Sequence, residues 1–391
     1  MPDTKTGKIR IVQIITKLEL GGAQEATLST VENLDRSRFE PVLISGQHGL
    51  LVQKARSLKG VKCIFVPALH RQVHPVWDFL ALVHLILILH REKMENPRII
   101  VHTNSSKAGI LGRMAAAAAG IGCIVHTVHG FGFHDYQRPL ARKLYIFLEK
   151  AAARVSTRII FVSRANLKLA QKLGICRRIG HGRVIRCGID LHRFFRDRDQ
   201  VMQEQGAMKE DSSPLIGMVA CFKPQKSPLD FIRMAERVSR VFPKARFMMV
   251  GDGQLRPQIR SLAQRLSLSD RLVLAGWRED VERILPELDV LVLTSLWEGL
   301  PLVLVEATAA GIPIVATDID GNREIVRNGI NGYVVPPRNP AAMAERVISA
   351  LQHPEQLAYT GKAQRFLVQG FDLHHMIRQL ELLYQEIMPM D

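Results

Sequence analysis

Residues 291–326 read LVLTSLWEGLPLVLVEATAAGIPIVATDIDGNREIV and decide the fold of this 391-residue chain. The apolar run at 289–293 predicts a strand, and Pro301 at the first helical position predicts the start of a helix. A Gly-Ile-Pro turn then leads into a second apolar run at 314–317. The order strand, loop, helix, strand predicts a βαβ unit.

The loop and the helix start of this unit have the chemistry of an anion site. Gly299 lets the backbone approach a ligand closely, and the free amide groups of a helix start favour a phosphate. Glu298 and Glu306 would repel a phosphate, so they need another role. Glu306 could accept hydrogen bonds from ribose hydroxyls, and Glu298 could lie beside the group attached to the phosphate. From spacing alone, two glutamates without a role are an equally good interpretation.

With its flanks, this motif closely resembles the donor-site signature of the family 4 retaining glycosyltransferases. The matching features are S-x-W-E-G-x-P around Glu298, the E-x7-E spacing to Glu306, and the downstream G-N-R-E-I-V. The resemblance covers nearly the whole chain. It implies the GT-B fold, which is α/β with two doubly wound Rossmann-like domains facing across a cleft. It also implies that the second domain binds most of a nucleotide-sugar donor and the first domain binds the acceptor.

The alternation of predicted strands and helices runs through both halves and itself indicates two doubly wound α/β domains. Residues 196–214 are polar, charged and without periodicity, which predicts a linker. Residues 1–195 are then the N-terminal, acceptor-binding domain, and residues 215–371 the C-terminal, nucleotide-sugar-binding domain. The resemblance implies that residues 372–391 form a helix that crosses back to the first domain.

The excess positive charge lies in the first half of the chain. The formal net charge is +16. Residues 1–195 hold 30 Lys and Arg against 12 Asp and Glu, a net +18, whereas the remainder holds 23 against 25, a net −2. This asymmetry suggests an anionic partner, namely a membrane surface, a nucleic acid or a phosphorylated acceptor, although a basic solvated surface is the alternative. Nucleic acid is disfavoured because aromatic residues are only 6% and no recognition motif is present.

Cysteine usage and apolar patterning predict a cytoplasmic protein. The five cysteines are scattered without a C-x-x-C pair, which argues against a disulfide framework or a zinc site. Residues 9–15 are too short for a signal peptide, and the longest apolar runs, 79–89 and 114–125, are shorter than a bilayer span. Helices predicted at 76–92 and 140–155 add the hypothesis of peripheral attachment to anionic lipid on the cytoplasmic face of the inner membrane.

Loops after predicted strands of the first half hold the acceptor candidates. A glycine pair follows the strand at 9–15, as in phosphate-facing turns, although a tight turn alone explains it equally well. The Asn/Ser loop before the helix at 108–119 could cap that helix or offer hydroxyls and a lysine to a substrate. The resemblance implies that His129 lies near the donor sugar. The predicted acceptor-binding residues are Gly21, Ser105, Lys107, His129 and Phe131.

Basic residues after the strand at 215–221 could clamp a diphosphate. The family commonly has an Arg and a Lys five apart here. Lys226 matches the Lys, but Cys221 occupies the Arg position, and Lys223 is the candidate substitute. The family's Asn-Gly-(Val/Ile)-Asp also begins with Cys187 in this chain, which puts a side-chain contact there in doubt. The predicted donor-binding residues are Gly22, Lys223, Lys226, Gly251, Gly253, Trp277, Arg278, Glu298, Gly299, Leu300, Leu302, Val303 and Glu306.

The resemblance implies retaining hexosyl transfer from a nucleotide-diphosphate sugar, with UDP favoured over GDP. The acceptor would be a glycan or a lipid-linked glycan in cell-surface polysaccharide or lipopolysaccharide synthesis. The predicted catalytic residues are Glu298, His129 and Lys226. In the family, the leaving phosphate helps to take the acceptor proton, so Glu298 is not assigned as a nucleophile.

We expect neither a cofactor nor a metal, because lysines and the helix start would stabilise the leaving diphosphate. The D-x-D sequence Asp318-Ile319-Asp320 is interpreted as loop. Two alternatives remain on the same scaffold: a nucleotide-sugar epimerase or hydrolase, and a non-catalytic nucleotide-sugar-binding subunit.

Overall fold

Strands and helices alternate through both halves of the computed structural model, which describes residues 7–176, 180–195, 213–357 and 362–389. The chain divides into two units. The first comprises Met1–Gly188 with Leu373–Asp391, and the second comprises Ile189–Asp372. The predicted linker at 196–214 therefore falls within the second unit, and its residues 196–212 lie outside the described ones.

The first unit has a sheet of seven parallel strands in its described residues. The strands are β1 Ile9–Ile15, β2 Phe39–Ser45, β3 Lys62–Phe65, β4 Ile99–Asn104, β5 Ile124–Val128, β6 Arg158–Phe161 and β7 Gly182–Val184. Its helices are α1 Gly22–Asn33, α2 Val52–Ser57, α3 Pro75–Glu95, α4 Ser106–Ala118, α5 Pro139–Arg154 and α6 Arg164–Lys172. The strand order is β3-β2-β1-β4-β5-β6-β7, so the order reverses between β1 and β4.

The second unit repeats this plan with six parallel strands in its described part. The strands are β8 Leu215–Val219, β9 Arg246–Val250, β10 Leu272–Gly276, β11 Val290–Leu293, β12 Ile314–Thr317 and β13 Gly332–Val335. Its helices are α7 Pro228–Val241, α8 Arg256–Arg265, α9 Val281–Ile284, α10 Leu302–Ala309, α11 Asp320–Arg323, α12 Pro340–Gln352 and α13 Lys362–Val368. The order β10-β9-β8-β11-β12-β13 reverses between β8 and β11.

Both sheets are buried on both faces, which is why their strands read as continuous apolar runs. On β1, Val12 and Ile14 pack in the cluster that includes α3 and α4, whereas Ile9 and Ile11 pack on the opposite face. The predicted α/β class with two Rossmann-like units is therefore confirmed.

Within the described ranges, no helix combines the length and the hydropathy that crossing a bilayer requires.

The helix α14, Leu373–Ile387, follows the second unit in sequence but packs on the first. Leu380, Leu383 and Tyr384 are buried against Ile9 and Ile11 of β1. Full burial of a leucine side chain stabilises a fold by roughly 1.5–3 kcal/mol, so these contacts are a substantial part of the first unit's core.

Some boundaries differ from the sequence prediction. The sequence of residues 354–369 predicts a single helix, whereas the structure has a 3-10 turn at Pro354–Leu357 followed by α13. The strand predicted at 215–221 ends at Val219, because the chain there enters the loop that holds the basic residues.

In parallel α/β sheets, ligands bind beyond the carboxyl ends of the strands where the strand order reverses. In this protein these positions are the loops after β1, β4, β8 and β11.

Candidate active site

In the second unit, hydrogen bonds tie the loop after β8 to the loop after β11. The Leu296 amide donates to the Gln225 carbonyl at 2.8 Å, and Gln225 Nε2 donates to the Trp297 carbonyl at 2.9 Å. Thr294 Oγ1 donates to the Lys226 carbonyl at 2.7 Å. These three bonds to Gln225 and Lys226 therefore fix the end of the basic loop relative to the acidic loop.

This arrangement brings two of the predicted catalytic residues into contact. Lys226 Nζ forms an ion pair with Glu298 Oε1. The same carboxylate oxygen accepts a hydrogen bond from Ser295 Oγ at 2.6 Å. The Lys226 and Glu298 side chains are only 19% and 8% exposed. Because charge-assisted hydrogen bonds are strong when shielded from water, the three groups form a defined polar cluster.

The downstream glycine and asparagine of the quoted stretch support this cluster. A Cβ atom at Gly321 would lie 2.9 Å from both the Glu298 Cβ and the Gly299 carbonyl oxygen. Buried Asn322 donates through Nδ2 to the Thr317 carbonyl at 2.7 Å. A glycine is thus required at 321 for the Glu298 loop to pack as it does, and Asn322 holds the turn that presents this glycine.

The glycines after β9 allow a second close approach of loops. Gly251 and Gly253 have φ values of 123° and 155°, which favour glycine. A Cβ atom at Gly251 would lie 2.1 Å from the Ala220 carbonyl oxygen, and one at Gly253 would lie 2.7 Å from that of Phe222. The two predicted donor-binding glycines therefore have a packing role against the loop after β8, whatever they bind.

The helix that carries Glu306 starts one residue later than predicted. Pro301 has φ −78° and ψ 103°, which is extended, so it is the N-cap residue and α10 begins at Leu302. Leu300 and Leu302 are buried, and Val303 is half-buried. The predicted donor-binding residues of this segment thus form the turn into α10, with Glu298 just ahead of it.

Glu306 lies on α10 near a cation that sequence reasoning missed. Arg193 Nη2 pairs with Glu282 Oε2 at 2.8 Å. The pKa of Arg193 is raised, chiefly by this bond to Glu282, with a smaller contribution from the charge of Glu306. The positive charge of Arg193 therefore partly offsets the negative charge of Glu306, the carboxylate predicted to bind ribose.

Three further predicted donor residues lie in loops of the second unit, and Lys223 adjoins the Lys226–Glu298 cluster, because its carbonyl accepts from the Lys226 amide at 3.0 Å. Trp277 is 39% exposed in the turn after β10, and Arg278 forms an ion pair with Asp280. Lys223 is half-buried at the N-cap of the 3-10 turn, and its amide donates to the Cys221 carbonyl at 2.8 Å. Whether Lys223 replaces the family arginine remains a prediction.

The two aspartates of the D-x-D sequence, Asp318 and Asp320, form ion pairs with Arg323. Both oxygens of Asp318 bond to the Arg323 guanidinium, and Asp320 lies 3.8 Å from it. The loop interpretation was wrong for Asp320, which begins α11 because the tight turn at 320–323 is helical. Across the described residues, no group of three or more His, Cys, Asp or Glu side chains is arranged to hold a metal ion.

In the first unit, His129 follows β5 and bonds through both ring nitrogens. Its Nε2 lies 2.9 Å from Asn104 Oδ1, and its Nδ1 lies 3.4 Å from Cys187 Sγ. Burial lowers the pKa of His129 to about 4 and raises that of the Cys187 thiol to about 12. Both groups are therefore neutral near pH 7. Cys187, where the family has asparagine, makes a side-chain contact after all.

Ser105 has a strained backbone at the start of α4. Its φ of 65° and ψ of 157° fall in a region that is almost reserved for glycine and costs on the order of 1–3 kcal/mol. Its side chain does not cap the helix, as the sequence suggested it could, but bonds to Thr16 Oγ1 at 2.8 Å. Thr16, directly after β1, accepts instead from the Ala108 amide at 3.1 Å. Thr16, at the end of β1, thus caps α4, the helix that follows β4.

The remaining acceptor candidates have structural partners in the first unit. Lys107 pairs with Asp78 of α3, and Phe131 stacks on Phe133 with ring centroids 4.6 Å apart. Gly21 has a φ of 174°, an extended conformation open to any residue, and Gly22 begins α1. The acceptor roles of Gly21, Lys107 and Phe131, and the donor-binding role of Gly22, stay predictions.

Sequence reasoning missed Ser295, Arg193, Asn104 and Thr16. A signal existed for Thr16 and Asn104, because they are polar residues at the carboxyl ends of apolar strands, where ligands bind in open sheets. Ser295 had the same signal, since it follows the apolar strand β11 by two residues. Arg193 had none, because it acts through partners that local spacing does not reveal.

Two family models match the chain. The model described as Glycosyltransferase Family 4 matches residues 20–193, and that described as Glycosyl transferases group 1 matches residues 200–365. The chain is 32% identical over 382 residues to an Escherichia coli protein, UDP-Gal:alpha-D-GlcNAc-diphosphoundecaprenol alpha-1,3-galactosyltransferase. That alignment covers 96% of this chain and 97% of the relative.

One further relative and two solved structures are also similar to this chain. A Campylobacter jejuni protein, N,N'-diacetylbacillosaminyl-diphospho-undecaprenol alpha-1,3-N-acetylgalactosaminyltransferase, is 26% identical, with 82% of this chain and 84% of the relative covered. Among solved structures, Anabaena HepE in complex with UDP-glucose matches with a TM-score of 0.81 at 18% identity, covering 97% of this chain and 100% of that one. WaaG, a glycosyltransferase involved in lipopolysaccharide biosynthesis, matches with a TM-score of 0.76 at 15% identity, with the same coverage. These structural likenesses show the GT-B fold.

Proposed function

The chain belongs to the family 4 glycosyltransferases, and we propose that it is a retaining hexosyltransferase using a UDP-sugar and a lipid-linked glycan acceptor. The Lys226–Glu298 cluster carries this proposal. It places a cation and a carboxylate together, shielded from water, at the strand-order reversal of the second unit. That is where an open α/β sheet binds a ligand, and the pairing suits a ligand with both a diphosphate and a hydroxyl-rich sugar.

The donor diphosphate would contact Lys226 and the amide groups at the start of α10. Both supply positive charge where negative charge develops on the leaving group, which is the main requirement of this step. Glu298 would accept hydrogen bonds from sugar hydroxyls. Glu306 would accept hydrogen bonds from ribose hydroxyls. This assignment gives each carboxylate neutral hydroxyl partners on the donor, and the Lys226 cation would lie between Glu298 and the diphosphate.

In the proposed reaction, the bond between the anomeric carbon and the β-phosphate oxygen breaks. The acceptor hydroxyl oxygen forms the new bond on the same face, and its proton passes to the departing phosphate oxygen. The products are UDP and the glycosylated acceptor. Lys226 and the helix start supply the charge that a metal ion supplies in other transferases, so we propose a reaction independent of metal and of any cofactor.

The names of the relatives support the choice of donor and acceptor. The Escherichia coli relative is named for a UDP-sugar and a diphosphoundecaprenol acceptor, and the Campylobacter jejuni relative for a diphospho-undecaprenol acceptor. A prenyl chain keeps such an acceptor in a membrane. We therefore propose that the first unit meets its acceptor at an anionic membrane surface, on the cytoplasmic side where nucleotide sugars are made.

Exposed apolar side chains on α5 favour this contact. Leu140, Leu144 and Phe147, spaced by four and three residues, lie on one face of the helix and are 81%, 55% and 65% exposed. Exposed Arg138 and Lys143 lie among them. An apolar stripe flanked by cations is typical of helices that lie in a membrane interface, where each cation adds roughly 1 kcal/mol on anionic lipid.

The same layer of the unit extends the apolar surface. Helix α4 packs against both α3 and α5, so the three helices cover one face of the sheet. On α3, Val76, Trp77 and Phe79 are also exposed. These exposed side chains add apolar surface in the same layer, and the basic residues on α5 favour anionic lipid as its partner.

A donor and acceptor screen tests the catalytic proposal. Purified protein is incubated with UDP- and GDP-sugars, with and without a diphosphoprenyl-linked glycan. We expect acceptor-dependent release of UDP and a product with the donor's anomeric configuration. Release without acceptor would instead identify a hydrolase, isomerised sugar an epimerase, and binding without turnover a non-catalytic subunit.

Vesicle flotation tests the membrane contact. We expect binding to phosphatidylglycerol vesicles at low salt, weaker binding at high salt, and little binding to phosphatidylcholine. The variant Leu140→Ser/Leu144→Ser/Phe147→Ser should lose most of the binding. A matched control, Val241→Ser/Val273→Ser/Ile330→Ser, removes exposed apolar side chains from the second unit and should bind normally. Equal loss in both variants would refute an α5 surface.

A further inference from the structure

A chain of buried polar side chains crosses the first unit beneath His129. The strands β1, β4 and β5 alternate, so that Ile11, Ile100 and Val125 face α14. By the same alternation, later residues on that face are polar. They are Gln13, His102, Asn104 and Thr127, with His129 immediately beyond β5. The apolar core against α14 therefore changes into a polar network at the carboxyl ends of these strands.

The inner end of this network fixes the hydrogen-bonding roles of its members. Tyr384 of α14 contacts His102 Nδ1 at 2.5 Å, and Gln13 Nε2 lies 3.0 Å from the same nitrogen. The same amide nitrogen donates to Tyr384 Oη at 3.1 Å, so the Gln13 side-chain oxygen faces away from this end of the network. On the other side of the ring, His102 Nε2 lies 2.7 Å from Thr127 Oγ1. Burial lowers the pKa of His102 to about 3, in keeping with a neutral ring.

These roles extend through Asn104 to His129. Gln13 Oε1 accepts from Asn104 Nδ2 at 2.7 Å, which leaves Asn104 Oδ1 as the atom facing His129. An oxygen acceptor requires a donor, so His129 carries its proton on Nε2. Its Nδ1 is then an acceptor, and the neutral thiol of Cys187 is the donor that faces it at 3.4 Å.

We propose that Asn104 and Cys187 are positioning residues that hold His129 as a neutral imidazole in the Nε2–H tautomer. Asn104 sets the tautomer, and Cys187 holds the opposite nitrogen. The network behind Asn104, ending at Tyr384, keeps its amide from turning over. His129 thus offers a fixed, uncharged ring for its predicted catalytic role in the proposed function, on which this inference depends, and it does not act as a general base.

The ionisable groups around His129 support a neutral ring. They are Cys187, in contact, and His102 and His126, whose pKa values burial lowers. None of the three supplies a negative charge near pH 7 that would stabilise an imidazolium. The two hydrogen bonds, rather than an ion pair, therefore fix the ring.

Nitrogen NMR of the full-length protein reads the tautomer directly, without reference to activity. In the wild type we expect the Nε2–H pattern between about pH 5 and about pH 9. The variant Asn104→Asp replaces the amide by a carboxylate, which should raise the pKa of His129 above about 6.5. An Nδ1–H pattern in the wild type, or an unchanged titration in Asn104→Asp, would overturn the proposal.

Steady-state kinetics test whether the Cys187 thiol positions His129. Cys187→Ala should lower kcat about 10-fold with the donor KM changed less than about 2-fold, because a misoriented group weakens the transition state more than binding. Cys187→Ser retains a donor and should recover most of the loss. The control is Cys176→Ala, a buried thiol in the apolar cluster beside β6, which should keep the wild-type kcat.

Equal kcat values in Cys187→Ala and Cys176→Ala would reject a positioning role for the thiol. Failure of the proposed function has a different signature. In that case no donor and acceptor pair gives turnover, while the NMR experiment still reports the tautomer. The two hypotheses can therefore fail separately.

Discussion

Lys226 and Glu298 form an ion pair between the loops after β8 and β11, with the Glu298 carboxylate also held by Ser295. The lysine and the glutamate are 72 residues apart in sequence. Their contact joins the two strands at which the sheet order reverses. A donor that binds both residues would therefore bridge both halves of the second unit's sheet.

Glu298→Gln should lower turnover much more than nucleotide binding. The glutamine keeps the shape but loses the charge that binds sugar hydroxyls and Lys226. We expect kcat to fall about 100-fold, as when a preorganised polar group is removed from an active site, with the Kd for UDP changed less than about 3-fold. Steady-state kinetics and calorimetry give the two values. Exposed Glu279→Gln is the control, and near-wild-type turnover in Glu298→Gln would require another site assignment.

Lys226→Met should weaken UDP binding. A charge-assisted hydrogen bond contributes about 1.5–3 kcal/mol, so the Kd should rise about 10-fold or more. The loss should shrink with added salt less than that of an exposed lysine, since Lys226 is 19% exposed. Calorimetry with UDP measures both effects. An unchanged Kd would show that the diphosphate binds elsewhere.

Gly251→Ala should destabilise the second unit. A Cβ atom there would lie 2.1 Å from the Ala220 carbonyl oxygen, in a backbone conformation with φ 123°. Gly329 also has a positive φ, 72°, but open space around its Cβ position. We expect Gly251→Ala to cost at least about 2 kcal/mol and Gly329→Ala about 1 kcal/mol in chemical denaturation. Equal losses would mean that the close approach of the loops relaxes at no cost.

Glu149→Gln should destabilise the first unit through a buried cation. Arg113 is completely buried and pairs with Glu149 at 2.6 Å, joining α4 to α5. Breaking a buried pair typically costs about 3–5 kcal/mol, whereas removing an exposed partner such as Glu386 costs about 1 kcal/mol or less. Denaturation of Glu149→Gln and Glu386→Gln compares the two. The pair is structural if activity per folded molecule is unchanged.

The stability of the first unit should fall as the pH is lowered. Burial lowers the pKa of His102 to about 3, below its ordinary value of 6.5. The unfolded chain therefore binds a proton below about pH 6.5 that the folded chain does not bind until about pH 3, so stability is lost across this window by on the order of 5 kcal/mol. Denaturation between about pH 7 and about pH 4 measures the slope. His102→Gln should flatten it; an unchanged slope would assign the loss to other groups.

The sequence predicted most of the fold because parallel strands buried on both faces leave long apolar runs. The strand Ile314–Thr317, for example, begins and ends where its predicted apolar run does. Some of the errors fall at helix starts, where one residue decides the cap. Pro301 has the preference of a first helical residue but serves as the N-cap, because its ψ of 103° is extended.

The candidate site was only partly predictable. Glu298 and Lys226 could be assigned from motif and loop position, but their contact with each other could not, because it depends on which strands are neighbours. The contacts of His129 with Asn104 and Cys187 span 25 and 58 residues. Such contacts follow from the order of strands in the sheet, which a linear pattern does not state.

The position of α14 has a consequence for how the protein is made. The helix packs on β1 and supplies Tyr384 to the network under His129, yet it is encoded after the whole second unit. During synthesis on a ribosome, the face of the first unit's sheet that α14 covers therefore stays exposed until the second unit has been translated. A chaperone that protects this nascent surface should increase the yield of active protein more than one that acts after release.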